Sequence, residues 1–238
     1  MMNNGDREIQ IQREYYRRTA QQYELAHVNQ NDEHFFALSF MLSTLDFLNV
    51  KSILDVGSGT GRTIKYIKKH RPDIRIMGVE PVLALRNIAY SHGVSQNELI
   101  SGDATNLLFR DNEFDLVCEF GVLHHIKEPD KAVSEMLRVA KKSVFISDNN
   151  HFAHGSRFLR FAKYLLDILG LWKFAYFIKT KGKGYTISDG DGLSYSYSVF
   201  DNYLQIEQQC QKIHLLSTKK SRINLYRTAS HIALLGIK

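Results

Sequence analysis

Three glycines alternate within SILDVGSGTGR, residues 52–62: Gly57, Gly59 and Gly61. Glycine lets the backbone turn sharply and lets a ligand approach it closely. An apolar strand before such a turn and a helix after it would aim the free N–H groups of the first helical turn at that ligand. Glu80 follows Gly57 by 23 residues and ends an alternating run, IRIMGVE. A carboxylate there is placed to accept hydrogen bonds from ribose hydroxyls. Asp55, two residues before the first glycine, can orient an amino-acid ammonium. Asp103 closes a third run, ELISGD, where an acid could bond an exocyclic adenine amine. A tight βα turn with no ligand would use the same glycines.

These residues need a scaffold that brings them together. The segment 51–148 alternates strand-like and helix-like stretches. Strands are predicted at 52–56, 74–79, 98–101, 114–119 and 143–148, and helices at 60–70, 82–92 and 129–139. Pro129 suits a first helical turn. Such alternation implies a parallel sheet with helices on both faces and ligands beyond the C-terminal strand ends. Asp55, Glu80, Asp103, Glu119 and Asp148 all fall at such ends. Upstream, residues 1–9 read as loose, 10–24 as a polar and aromatic helix, and 33–48 as a helix with Phe36, Phe40 and Leu45 as its packing stripe. Downstream, 157–170 reads as an amphipathic helix continued by 171–178, then a basic loop 179–185. Helix 199–209 and strands 212–216 and 229–237 follow.

LDVGSGTG, then GVEP, then SGDATNLLFRDNEFDLVCEFGVLHHIKEPDKAVSEMLRVAKK, resembles the class I S-adenosylmethionine-dependent methyltransferases, and within them the small-molecule group called type 11. The resemblance is strong over 51–148 and weaker at either end. It implies a doubly wound, mostly parallel α/β sheet of seven strands, completed by a C-terminal antiparallel hairpin. It implies S-adenosyl-L-methionine as cofactor, held by Tyr23, Asp55, Gly57, Ser58, Gly59, Gly61, Glu80, Pro81, Asp103, Ala104, Glu119, Phe120 and Gly121. The GxGxG spacing differs from the GxGxxG of dinucleotide oxidoreductases. The chain divides into N-terminal helices over the cofactor (1–50), the cofactor-binding core (51–150), a helical insertion or lid (151–198) and a closing helix and hairpin (199–238), all in one domain.

Methyl transfer is an in-line displacement in which the protein supplies position and environment. A base is useful for a hydroxyl or amine acceptor. His124 and His125, after the fourth strand, are candidates because histidine titrates near neutrality; His151 and His154 are alternatives. Each could instead cap or pack a helix. No NPPY or DPPY follows the fourth strand and no Pro-Cys pair exists, which removes adenine-amino and cytosine-C5 methylation. The acceptor expected is an oxygen or nitrogen of a small metabolite, a sugar or a lipid-linked group. The other readings are an RNA methyltransferase gripping phosphates with its basic last third, and a non-catalytic S-adenosylmethionine-binding protein.

Residues 1–150 carry 18 Lys/Arg and 20 Asp/Glu, and residues 151–238 carry 13 and 5, so the net charge of +6 belongs to the last third. The insertion invites three readings: a lid with Phe158, Phe161, Trp172, Phe174 and Phe177 as an acceptor wall, plain packing, or peripheral contact of 157–185 with an anionic membrane. Two distant cysteines, Cys118 and Cys210, offer no disulfide framework or zinc site and fit a reducing compartment. The polar start MMNNGDREIQ has no apolar signal region and no run is long enough to span a bilayer, so a cytoplasmic location is expected. No metal site is expected. Oligomeric state is not legible.

Overall fold

The computed structural model describes residues 4–27 and 32–238. Its centre is a seven-stranded sheet of β1 (Ser52–Val56), β2 (Arg75–Val79), β3 (Leu99–Ile100), β4 (Phe114–Phe120), β5 (Ala140–Asn149), β8 (Lys212–Ser217) and β9 (His231–Ile237), in the order β3-β2-β1-β4-β5-β9-β8. The first five strands are parallel, and β9 runs antiparallel to both β5 and β8. The order reverses between β1 and β4, which opens a crevice at the carboxyl ends of the strands.

Alternation within each strand feeds two cores. Leu54, Val56 and Val117 point to one face, against Val133, Met136 and Leu137 of α5 (Pro129–Val139). Ile53, Leu116 and Phe145 point to the other, against Leu38 and Met41 of α2 (Glu33–Thr44) and Ile64 and Ile67 of α3 (Arg62–His70). Helix α3 buries those isoleucines and turns Lys68, Lys69 and His70 to its last turn, where cations favour the helix dipole. Helix α4 (Leu83–Ser91) follows β2.

Several boundaries differ from the sequence reading. The first helix, α1 (Asn4–His27), extends beyond 10–24, so residues 4–9 are helical rather than loose; residues 1–3 lie outside the described residues. Helix α2 stops at Thr44, and Asn49 then turns the chain with φ of 48°. In 151–198, α6 (Arg157–Ile168) and α7 (Trp172–Lys179) precede an antiparallel hairpin, β6 (Tyr185–Ser188) and β7 (Gly192–Tyr195), where little sheet was expected. The predicted helix 199–209 is a 3-10 turn, Val199–Asn202, capped by Ser198, and then the short α8 (Tyr203–Glu207). A further short helix, α9 (Leu225–Thr228), sits between β8 and β9.

Candidate cofactor and acceptor site

The glycine turn is built so that side chains would obstruct it. Gly57 has φ of 73°, and a Cβ there would lie 2.4 Å from Val122 Cγ2. Gly59 has φ of 53°, and its Cβ would lie 2.9 Å from the Tyr23 hydroxyl oxygen. Left-handed φ and close neighbours together select glycine at both positions. Glu80 splints the turn to the end of β2. Its Oε2 accepts the Gly59 N–H at 3.1 Å and its Oε1 accepts the Val82 N–H at 2.9 Å. Burial pushes the Glu80 carboxyl up to about 7.

A cavity of about 210 Å³ opens above this turn. Tyr23, Gly57, Glu80, Pro81, Asp103, Ala104, Phe120 and Gly121 line it. Asp55, Ser58, Gly59, Gly61 and Glu119 do not; they are buried in the glycine turn and the adjoining strand ends. Burial pushes the Asp55 carboxyl up to about 6, while Ser58 Oγ donates to the Asp55 carbonyl at 2.9 Å. Buried Glu119 accepts the N–H groups of Val122 and Ser147, each at 2.9 Å, and so ties the loop after β4 to β5.

Helix α1 supplies a wall that the sequence reading assigned only to Tyr23. Ile9, Gln12, Arg13 and Tyr16 share its inner face at helical spacing, and Arg13 reaches the Asp103 carboxylate at 3.2 Å. The hairpin docks on the same helix. The Tyr15 hydroxyl donates to the Asp189 carbonyl at 2.8 Å, the Leu193 N–H donates to Gln12 Oε1 at 2.5 Å, and the Tyr195 hydroxyl donates to Glu8 at 2.8 Å. From 151–198 only Tyr195 lines the cavity. The expected acceptor wall of Phe158, Phe161, Trp172, Phe174 and Phe177 is therefore not there: none of the five lines the cavity, α6 docks through Lys163 on the 151–154 turn after β5, and Tyr195 of the hairpin lines the cavity instead.

The histidines have separate environments. His124 is buried, with Nδ1 2.6 Å from Asp148 Oδ1 and Nε2 3.2 Å from Asp191 Oδ2. Two carboxylates outweigh the burial and hold its pKa up to about 10, so it is an imidazolium with both nitrogens donating. Asp148 also accepts the N–H groups of Leu123 at 2.8 Å and Asn149 at 2.5 Å. His125 lines the cavity. Its Nδ1 is 2.7 Å from the Leu193 carbonyl and its Nε2 is 2.9 Å from the Tyr16 hydroxyl. A proton on Nδ1 would go to the Leu193 carbonyl and leave Nε2 to accept from Tyr16; a proton on Nε2 would face Asp191 Oδ1 at 3.4 Å and leave Nδ1 to accept from the Gln12 amide at 3.0 Å. Burial and the neighbouring charge of His124 lower the His125 pKa and keep that ring neutral. His151 is away from the cavity, stacked on Trp172 at 5.2 Å with both ring nitrogens unpartnered, and burial lowers it to about 4. His154 lies outside the cavity too, with Nε2 3.3 Å from the Ser230 carbonyl. His124, His125 and Asp191 place ligand-type atoms within 4.8 Å of one another, a spacing that could hold a metal ion; the imidazolium between two carboxylates accounts for the same geometry without one.

Asp191 and Gln12 were missed. Asp191 sits in a turn, Ser188-Asp189-Gly190-Asp191-Gly192, whose Asp-Gly pairs flanked by Tyr, Thr and Ile carry a hairpin signal. Gln12 carried no signal, since its partners lie 113 to 181 residues away.

The reversed strand order and the glycine turn after β1 give the chain the doubly wound α/β fold of Rossmann-like methyltransferases. Residues 54–147 match a family model described as a methyltransferase domain, and the cofactor that this match implies is S-adenosyl-L-methionine. It is 34% identical over 95 residues to norajmaline N-methyltransferase of Rauvolfia serpentina, covering 38% of this chain and 32% of that one. It is 30% identical over 117 residues to phosphatidylethanolamine N-methyltransferase of Cereibacter sphaeroides, covering 42% and 51%. The chain thus spans a third to a half of the length of these curated relatives. In fold it is similar to magnesium protoporphyrin IX methyltransferase of Synechocystis PCC 6803, solved with S-adenosylhomocysteine bound, with a TM-score of 0.59 at 14% identity over 97% of this chain and 99% of that one. The cavity fits such a cofactor on its own evidence: a Cβ-free floor at Gly57, a buried acid at the end of β2 and Asp103 at the next strand end.

Proposed function

We propose that this protein transfers a methyl group from S-adenosylmethionine to an oxygen or nitrogen of a small acceptor bound against α1 and the 185–195 hairpin, with Tyr16 and His125 receiving the acceptor's proton. One observation carries the reading. A neutral imidazole and a neutral phenol, hydrogen-bonded to each other at 2.9 Å, line the cavity that Glu80 and Gly57 floor.

The cofactor, when bound, supplies the electrophilic methyl. In this reading Glu80 and Asp103 orient its sugar and base, and Tyr23 closes over the glycine turn. As the acceptor's bond to the methyl carbon forms, its proton passes to the Tyr16 oxygen and the Tyr16 proton passes to His125 Nε2. Asp191 Oδ1, 3.4 Å from that nitrogen, then faces a new positive charge and stabilises it. Positioned proton transfer of this kind contributes typically about 10²–10⁴-fold. His124, with both nitrogens donating, serves by fixing Asp191 and Asp148 rather than by taking a proton.

The acceptor class draws on relatives named for alkaloid, lipid and quinone methylation, beside one named a probable tRNA methyltransferase. Nucleic acid fits less well, because no lysine or arginine of residues 151–238 lines this cavity. Calorimetry with S-adenosylhomocysteine and NAD tests the cofactor half, and saturable NAD binding with no response to S-adenosylhomocysteine would refute it. A labelled-cofactor screen of small-molecule extracts tests the other half. Tyr16→Phe and His125→Asn should each lower kcat with little change in cofactor Kd; wild-type kcat in both would remove the relay.

A further inference from the structure

Helix α6 is mounted inside out. Lys163 is buried, and its Nζ donates to the carbonyls of His151 at 2.7 Å and His154 at 3.0 Å. The apolar stripe of the same helix, Phe158, Phe161, Leu165 and Ile168, faces solvent, with Phe158 81% exposed. After the Gly170 turn, with φ of 68°, Leu171 and then Phe174 and Ile178 of α7 are exposed as well. Monomeric soluble proteins rarely show a contiguous apolar face of this extent without a partner for it. Plain packing of the insertion therefore does not describe these side chains.

A basic cleft of about 500 Å³ adjoins that stripe. Arg157 and Arg160 enter it from α6, beside Tyr164, and Lys220, Arg222 and Arg227 enter it from the chain between β8 and β9. Among the described residues none of these five cations makes an ion pair, and no carboxylate lines the cleft. The Arg227 guanidinium stacks 3.9 Å from the Tyr164 ring centroid, which holds it in place. Ile223, between Lys220 and Arg227, is fully exposed. Phe161 belongs to both the stripe and the cleft lining, so the two features form one surface.

An apolar face flanked by unpaired cations complements one environment, the boundary between the acyl chains and the phosphates of an anionic bilayer. We propose that α6, α7 and the 219–224 loop dock this protein on an anionic lipid surface, with a lipid phosphate seated among Arg157, Arg160, Lys220, Arg222 and Arg227. A nucleic acid would use the cations and leave the stripe in water. A second copy of this chain would cover the stripe while setting these cations against their like.

Co-sedimentation of the full chain with vesicles decides it. Phosphatidylcholine vesicles containing phosphatidylglycerol should retain the protein, pure phosphatidylcholine should retain far less, and added salt should weaken the retention. The one tryptophan, Trp172, stacks inward on His151, so Phe174→Trp in a Trp172→Phe background puts the fluorophore on the stripe, where quenching by brominated acyl chains reports depth. Phe158→Ser/Phe174→Ser should lower partitioning about tenfold or more. Arg157→Gln/Arg222→Gln/Arg227→Gln should lower partitioning to the anionic vesicles and flatten its salt dependence. Melting curves check that these variants fold. The proposal is overturned by failure of the wild type to bind anionic vesicles, by equal binding of the Phe variant, or by absence of quenching. It is also overturned if inorganic phosphate or RNA occupies the cleft while vesicles do not bind, or if the Phe variant converts a dimer to a monomer with no change in vesicle binding.

Discussion

The carboxyl ends of the strands and the α6–α7 pair use the same residue types in opposite ways. At the strand ends, charged groups are buried and saturated: Asp148 is shared by an imidazolium and three backbone N–H groups, Glu119 by two N–H groups, and Glu80 by two. In α6 and α7, large apolar groups are exposed and the buried charge is a lysine held by two carbonyls. Burying an acid costs free energy that only hydrogen bonds and opposite charge return. The strand ends therefore form a preorganised polar lattice that a ligand can use without rearrangement. The α6–α7 surface lacks its complement within the described chain.

Breaking the lattice should produce the largest effect. Asp148→Ala leaves the His124 charge facing Asp191 alone and removes the acceptor of three N–H groups. We expect a loss of about 3–5 kcal/mol of unfolding free energy, the range for breaking a buried pair. Urea denaturation measures it, and a loss below about 1 kcal/mol would mean that the network is not a unit. Glu80→Ala comes next. It removes the carboxylate expected to meet the cofactor ribose and frees two buried N–H groups of the turn. Cofactor binding should weaken by about 1.5–3 kcal/mol, as for hydrogen bonds to a charged group. Calorimetry reads this directly, and an unchanged Kd would place the ribose elsewhere.

The pH dependence of stability sharpens the comparison with a sign. His124 is raised in the folded state to about 10 from an ordinary value near 6.5. The folded state therefore binds more protons than the unfolded state between those values. The stabilisation is fully present below about 6.5 and is lost as pH rises through about 10. The wild-type Tm should fall across that window more than the Tm of His124→Gln. Parallel curves would show that His124 is not charged in the folded protein. For turnover, His125 is lowered by burial and by His124, so the acid limb of kcat should lie below the ordinary histidine range.

What was legible in the sequence follows the same division. The core was legible because its signals are local. Glycine spacing, strand alternation and the acid at the end of each run lie within a few residues of one another, and the family model covers the same stretch. Tyr23 came from the resemblance. The partners that define the histidines were not local: Asp191 lies 67 residues from His124, and Gln12 lies 113 from His125. The β6–β7 hairpin did have a signal, in its Asp-Gly turn, that the basic loop before it obscured. For α6, periodicity gave the amphipathic pattern but not its direction. A stripe at i, i+3 and i+7 states which residues share a face; what covers that face depends on the rest of the fold.

The smallest expected effect tests that last point. Phe145 and Phe158 are the same residue in the two regions, fully buried in β5 and 81% exposed in α6. Truncating a buried phenylalanine costs about 3–5 kcal/mol through lost burial and the cavity left behind. Phe158→Ala forfeits only the small fraction of its surface that folding covers, under about 1 kcal/mol at 25 cal/mol per Å². Alanine's higher helix propensity returns a few tenths of that, about 0.5 kcal/mol. The net change in unfolding free energy should therefore fall within about 0.5 kcal/mol of zero, as for surface substitutions in general. Urea denaturation of the isolated chain measures it against Phe145→Ala under the same conditions. A loss above about 2 kcal/mol at Phe158 would mean that in solution this side chain is covered, either by the chain itself or by a second copy. Repeating the measurement at two protein concentrations separates those cases, since only a second copy makes the loss concentration-dependent.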